Sequence, residues 1–378
     1  MASNKREHVH MRFIKTFVVL SGIWPLDLKG IKKHLYDLYF RATFLFYVLN
    51  VCTVYVTAKE VAFRGKTTEI TDYVANTIFA TLLILKALTY RSKGIKNLLD
   101  SILELEKEVL EKYDDESRSI YMENVKSAEY LGSVYIFQGC FMSLCAQVFP
   151  LIMTLMSVPD EQGRVEKYYI VPNWEPFDKY EHYYAAFALQ FVYTIIAETY
   201  IVFCGTFFLF VLKNVQGQLR VLQHRFREGH SVKDCIRFHQ AIIQLFNDFN
   251  STFYMFIFME YIFTSFGLSI VVLEFMLEET IQMKIAAAGF FSAFAGQLLF
   301  IYYNADQVTW ESSDGLVRAI FDGSWYEIDP KAQKLLVFVI KRAQKPLTLS
   351  IGPFRKVGVD SMIALFKATY SYISLMWR

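Results

Sequence analysis

The residues of this chain that could do chemistry are polar groups set inside long apolar runs. Glu198 lies midway along one run and Lys86 near the end of another, while Gln147 and Gln190 stand among aromatic and aliphatic neighbours. A charge or an amide in hydrocarbon needs a partner, and a ligand hydroxyl or carbonyl can supply it. That chemistry is recognition, not bond making. The seven histidines are His8, His10, His34, His182, His224, His230 and His239. They form no His-Glu-x-x-His pair and no ligand set, and no Gly-rich phosphate loop is present, so neither an enzyme nor a metal or other cofactor is indicated. Cys52, Cys140, Cys145 and Cys204 fall in apolar runs and Cys235 in a polar gap. None stands where a structural disulfide would form outside the cell.

The runs that must position these groups are membrane spans. They are read near Leu38–Ala58, Asp72–Leu88, Ala128–Met156, Tyr183–Leu212, Phe249–Leu277, Ile285–Tyr303 and Val359–Trp377. Each is long enough to cross a hydrocarbon core of about 30 Å as a helix. The expected fold is all-α: a polytopic membrane protein of seven transmembrane helices with a cytoplasmic helical anchor bundle. Lys and Arg crowd the N-terminal segment and then alternate gaps, with Lys93, Lys96 and Lys107 in the second-to-third, Arg220, Arg225 and Arg227 in the fourth-to-fifth, and Lys341, Arg342 and Lys345 in the sixth-to-seventh. Such residues stay cytoplasmic, so the N-terminus is expected inside and the C-terminus outside. A G-protein-coupled receptor has the reverse arrangement. Lys86 then reads as a snorkelling side chain at the cytoplasmic surface. For Glu198, pairing in the anchor region and facing water both stay open.

Composition agrees with a membrane chain, since 54% of the residues are hydrophobic and 20% charged. A net charge of +2 gives nucleic acid no reason to bind. No secretory signal is visible, because the apolar run Phe17–Ile23 is short and lacks a cleavage pattern. No inverted repeat of a transporter is apparent. The match to a glycosylation motif, Asn250-Ser251-Thr252, reads as chance at the edge of a span.

Three gaps carry helical periodicity. Tyr90–Lys126, Val221–Phe249 and Lys331–Arg342 bear apolar stripes between charges. Stripes need a surface to pack against, which favours a bundle with an interface over solvated extensions. Ser157–His182 is different, holding Pro159, Pro172, Pro176, Trp174, Tyr168 and Tyr169. Such a loop can be ordered without regular structure and act as a lid over the third and fourth spans.

Val359–Arg378 places Asp360, Ala364, Lys367, Ser371, Ser374, Leu375 and Arg378 along one helical face, with Ile363, Phe366, Tyr370, Ile373 and Trp377 along the other. A polar stripe in a span meets protein or water, so a buried helix and a pore helix are equal readings of these residues.

The last third is more specific. It reads Ala319-Ile-Phe-Asp-Gly-Ser-Trp325-Tyr326-Glu327, then Lys341-Arg342-Ala343-Gln344-Lys345-Pro346-Leu347-Thr348-Leu349, then Gly352-Pro353-Phe354, and closes on Thr369-Tyr370-Ser371-Tyr372. In order and spacing this resembles the C-terminal signature of the insect odorant receptors. The resemblance implies a ligand-gated, non-selective cation channel in the plasma membrane of olfactory sensory neurons. It implies a hetero-oligomer, in the family a tetramer, of an odorant-tuned subunit with a shared coreceptor subunit. The short gap between the fourth and fifth spans looks like a tuning subunit's. The sister gustatory receptors, which share the fold and remain the alternative, follow Thr-Tyr with Gln-Phe, and Ser371–Arg378 contains neither.

The resemblance turns the last helix into a pore helix. Ser371, Ser374, Leu375 and Arg378 become its pore and gate residues, with Leu375 at the family's aliphatic constriction and Arg378 at the outer mouth. It also implies a pocket for a small volatile odorant in the outer halves of the second, third, fourth and sixth helices. The residues expected there are Tyr73, Thr77, Cys140, Phe141, Leu144, Gln147, Phe187, Gln190, Phe191, Thr194, Phe290 and Phe294. With 35 Phe and 24 Tyr in the chain, most membrane aromatics serve packing or lipid contact. Within one odorant receptor domain, the expected divisions are a cytoplasmic segment 1–37, six pocket-bearing helices over 38–303, an anchor segment 304–358 and the pore helix 359–378.

Overall fold

A computed structural model describes residues 19–24, 29–64, 67–159, 165–171, 173–277 and 281–376. Helix α1 runs Ile31–Arg64, α2 Thr67–Tyr90, α3 Lys93–Lys112, α4 Asp115–Met156, α5 Tyr183–Arg227, α6 Val232–Leu277 and α7 Ile281–Trp310. A π-helical turn, Glu311–Gly315, follows, then α8 Leu316–Asp322, α9 Pro330–Ala343, the hairpin strands β1 Ser350–Ile351 and β2 Arg355–Lys356, and α10 Val359–Met376. Among the described residues four helices are long and apolar enough to cross a membrane, and Thr77–Tyr90 is a shorter apolar stretch. The bundle has a basal end, where α3, α8, α9 and the hairpin pack, and an apical end, where 165–171 and 173–182 lie against the helix tips.

Local chemistry sets the basal boundaries. Asp114 ends α3's connection and caps α4, accepting from Ser117 N at 2.9 Å and from Ser117 Oγ at 2.8 Å. Asp329 caps α9 with Pro330 in its first turn, where a missing N–H costs nothing. Gly229 takes φ +69° just past α5, and Gly352 takes φ +52° in the hairpin turn beside the Phe258 ring. The Asn250 side chain, read from sequence as part of a chance motif, accepts from Ser350 N at 2.9 Å and moors the hairpin to α6.

The basal half of α5 is the centre of the core. From Phe203 to Phe226 nearly every side chain is buried, polar ones included. Trp24, Tyr90, Phe203, Phe207, Phe208, Phe249 and Phe253 form one aromatic cluster, with the Phe208 and Phe249 rings 4.7 Å apart. Buried amides satisfy each other below it. Asn214 donates to Tyr121, Gln218 to Asn214, and Gln216 to Asn304. The π-turn aims Glu311 at α5, where it accepts from Arg220 Nε at 2.8 Å and Gln223 Nε2 at 2.7 Å. The bonds to Tyr121, Asn304 and Glu311 tie α5 to three neighbouring elements and fix its register, although Gln218 Oε1 is buried without a partner.

The apical loop is pinned. Gln190 Oε1 accepts from Ile170 N and Val171 N, Trp174 N donates to Thr57 Oγ1 at 2.6 Å, and Asn173, fully buried, donates to Tyr193. Residues 165–171 and 173–182 are ordered against α1, α4 and α5 without helix or strand, as Pro and aromatic content foretells.

Candidate functional site

A cavity of about 360 Å³ opens between α2, α5, α6 and α7. Its wall is mainly aromatic and aliphatic: Phe79 and Leu83 from α2, Phe208 from α5, Phe256, Leu268 and Val271 from α6, and Phe294 and Leu298 from α7. Helix α6 contributes more of it than any other helix, from Phe253 to Val271, a helical rise of about 27 Å. α4 contributes Tyr135 alone, which reaches the wall because Gly205 makes room for it. A side-chain Cβ at Gly205 would stand 1.9 Å from the Tyr135 hydroxyl.

Two charged side chains line the cavity, and they are paired. Lys86 Nζ of α2 donates to Glu260 Oε1 of α6 at 2.7 Å. Tyr90 donates to the Cys204 carbonyl at 3.1 Å and Tyr261 to the Ser361 carbonyl at 3.4 Å, so both phenols are used in tying helices together. The Lys86 partner corrects the snorkelling reading: the ammonium meets an acid on another helix instead of reaching for the surface. Glu260 was passed over in the sequence, although an acid inside the fifth span was a visible signal. Glu198 is half-buried on α5 and does not line this cavity.

The expected pocket residues are dispersed. Phe294 lines the cavity. Thr77 is buried nearby on α2, and the side chain of Tyr73 lies outside the described residues. Cys140, Phe141 and Leu144 face outward on α4, as does Phe191 on α5. Phe187 packs against the Tyr183 ring, Phe290 is half-buried, and Thr194 donates to the Gln190 carbonyl at 2.8 Å. Gln147 is buried and donates to Ser143 Oγ at 3.0 Å, while Gln190 holds the apical loop. The two amides thus have protein partners, and α6, absent from the expected set, supplies the largest share of the wall. Over its cavity stretch, Phe253–Val271, α6 is apolar nearly all round, so its sequence there carries no facial signal.

The wall continues to the last helix. On the side of α6 turned away from the cavity, Ser269 Oγ donates to the Thr369 carbonyl at 3.2 Å and Thr369 Oγ1 to the Ser265 carbonyl at 3.3 Å. α10 buries Ser361, Leu365 and Thr369 on this contact and exposes Asp360, Lys367, Ser371 and Ser374, together with Ile363 and Tyr370. The face division read from sequence therefore shifts: the packed face runs between the two expected stripes. The side chains of Ile373 and Leu375, and all of Trp377 and Arg378, lie outside the described residues.

An all-α membrane protein with a small-molecule-sized apolar cavity, coupled to a terminal helix by hydrogen bonds, is the class these observations define. The 7tm Odorant receptor family model matches residues 66–370, and the chain belongs to the insect odorant receptors. It is similar to Odorant receptor 10 of Aedes albopictus, 26% identical over 80% of this chain and 81% of that one. It is similar to Odorant receptor Or2 of Anopheles gambiae, 27% identical over 71% and 74%. In fold it resembles the olfactory receptor OR5 from Machilis hrabei, with a TM-score of 0.80 at 14% identity over 97% of this chain and 98% of that one. The same receptor in complex with eugenol gives 0.81 at 12% identity, over 98% of this chain and 99% of that one. The chain is thus a multi-pass membrane protein of olfaction and not an enzyme.

Proposed function

We propose that this chain is the odorant-binding subunit of a heteromeric odorant-gated cation channel, with a shared coreceptor as its partner and four subunits in the assembly. The observation that carries this is the position of α6, which walls the cavity on one face and hydrogen-bonds α10 on the other. A ligand that spreads the cavity must move α6, and α10 moves with it. The likeness to a receptor solved with eugenol supports a small volatile as that ligand. Seven spans follow from the lengths of the apolar runs, and a cytoplasmic N-terminus and an external C-terminus from the Lys and Arg bias. The exposed stripe of Asp360, Lys367, Ser371 and Ser374 is uncovered by the chain's own helices, which supports a pore reading for it. Residues 38–303 then form the pocket unit, 304–358 the anchor and 359–378 the pore helix, with Leu375 as gate and Arg378 at the mouth. Four arginines there would repel cations, so the subunit needs a different partner to conduct.

The test is current recording in cells expressing the chain with and without an insect coreceptor, across a panel of volatiles. Odorant-evoked current is expected with the coreceptor and little without it. Equal currents from the chain alone would remove the heteromeric reading.

A further inference from the structure

Outside hydrocarbon packing, the cavity offers a ligand one charged feature, the Lys86–Glu260 pair. The two partners are not equally presented. The side chain of Lys86 is 14% exposed and that of Glu260 is 51% exposed. The ammonium is tucked behind, and the carboxylate faces open space. A carboxylate has about four acceptor sites and no donor, and the lysine satisfies one oxygen. The pair is neutral as a unit, which disfavours an ionised guest.

We propose that the cavity selects small neutral molecules bearing a hydroxyl, alcohols and phenols, and that Glu260, anchored by Lys86, accepts the hydroxyl hydrogen. This rests on the cavity being the odorant site. A ligand that only accepts, such as an ether, gives no hydrogen bond to the carboxylate oxygen that Lys86 leaves free. A bond to a charged acceptor is the stronger kind, so the preference is expected to be about tenfold or more. The pair also joins α2 to α6, and a purely structural role would change expression without changing which member of a matched pair is preferred.

The experiment uses the full chain co-expressed with a coreceptor and compares dose–response curves for matched molecules: phenol with anisole, and benzyl alcohol with benzyl methyl ether. Surface biotinylation controls for delivery. In the unaltered channel the hydroxyl member is expected to act at a dose lower by about tenfold or more. Lys86→Leu with Glu260→Leu removes both charges together, avoiding an unpaired ion, and is expected to erase that gap while sparing the ethers. If the double variant does not reach the surface, Glu260→Gln, which keeps shape and loses charge, is expected to narrow the gap to about threefold. Gly267→Phe tests the site separately. Gly267 lines the cavity, and a Cβ there meets nothing within 4 Å, so a side chain can start from this position into open space. Gly267→Phe is expected to weaken both members of each pair. Curves unchanged by Gly267→Phe would overturn the cavity as the site. A shift with Gly267→Phe, but an alcohol-to-ether ratio unaffected by loss of Glu260, would overturn the ligand class alone. So would an unaltered channel that favours the ethers or ignores the hydroxyl members.

Discussion

Asp306 of α7 accepts a 2.8 Å hydrogen bond from Val359 N, the first residue of α10. One helix thus caps another that begins 53 residues later. The approach depends on Gly358, where a Cβ would stand 2.3 Å from Asp306 Oδ1. A carboxylate at a helix N-terminus meets unpaired N–H groups and the positive end of the helix dipole. The start of the last helix is therefore fixed by its neighbour.

Asp306→Ala is expected to cost about 1 kcal/mol of stability, and Asp306→Asn less, because asparagine also caps. Gly358→Ala should cost at least as much through the clash. Thermal unfolding of the detergent-solubilised protein measures all three. An Asp306→Ala variant as stable as the parent would show that the cap contributes nothing.

Removing the hydroxyl contacts between α6 and α10 should weaken coupling without altering recognition. Thr369→Val keeps the shape and deletes the bond to Ser265. The loss of one hydrogen bond, about 0.5–1.5 kcal/mol, should raise half-maximal doses several-fold, by the same factor for every odorant. A reordered odorant series would instead place Thr369 in recognition.

Gln190→Leu leaves Ile170 N and Val171 N without their acceptor. Stranding buried donors costs about 1–3 kcal/mol. The variant is expected to expose the apical loop to trypsin at Lys167 and Lys179 and to lower surface delivery, with the order of odorants unchanged. Selective loss of polar odorants at normal delivery would return Gln190 to the pocket.

Acid should act at the α3–α4 junction. Burial pushes the Asp114 carboxyl up, but its bonds to Ser117 N and Oγ outweigh that and hold it down to about 2. With the folded value below the unfolded one, the stabilisation is complete above about pH 4 and is lost as pH falls toward 2. Asp114→Ala should remove that acid-dependent step and cost about 1 kcal/mol at neutral pH. Unfolding followed against pH for both proteins decides it; parallel curves over that window would refute the assignment.

Leu375→Ser is expected to raise current in the absence of odorant, because a serine wets a hydrophobic constriction. Basal current equal to the parent's would remove Leu375 from the gate.

The helices were legible because the spans announce themselves by length and the amphipathic segments by period. α3 and α9 bury one apolar face each, through Leu98, Leu99, Ile102 and Val109 and through Leu336 and Val339, within the gaps where a stripe was expected. The cavity was not legible in the same way. Gln147 and Gln190 were attractive as amides in a span, yet a partner in a neighbouring loop or turn satisfies an amide as well as an odorant would. The Lys86–Glu260 pair needed the third dimension, since 174 residues separate its members. Trp325 and Tyr326, which marked the family, sit at the surface of a basal turn and do not line the cavity.

The amide network of Asn214, Gln216, Gln218 and Gln223 lies at the basal end, whereas the cavity walls above are held chiefly by side-chain packing. Packed apolar walls tolerate exchange of one side chain for another of similar bulk at modest cost. Exchange of one wall residue therefore reshapes the cavity while leaving the basal network that holds α5 in place.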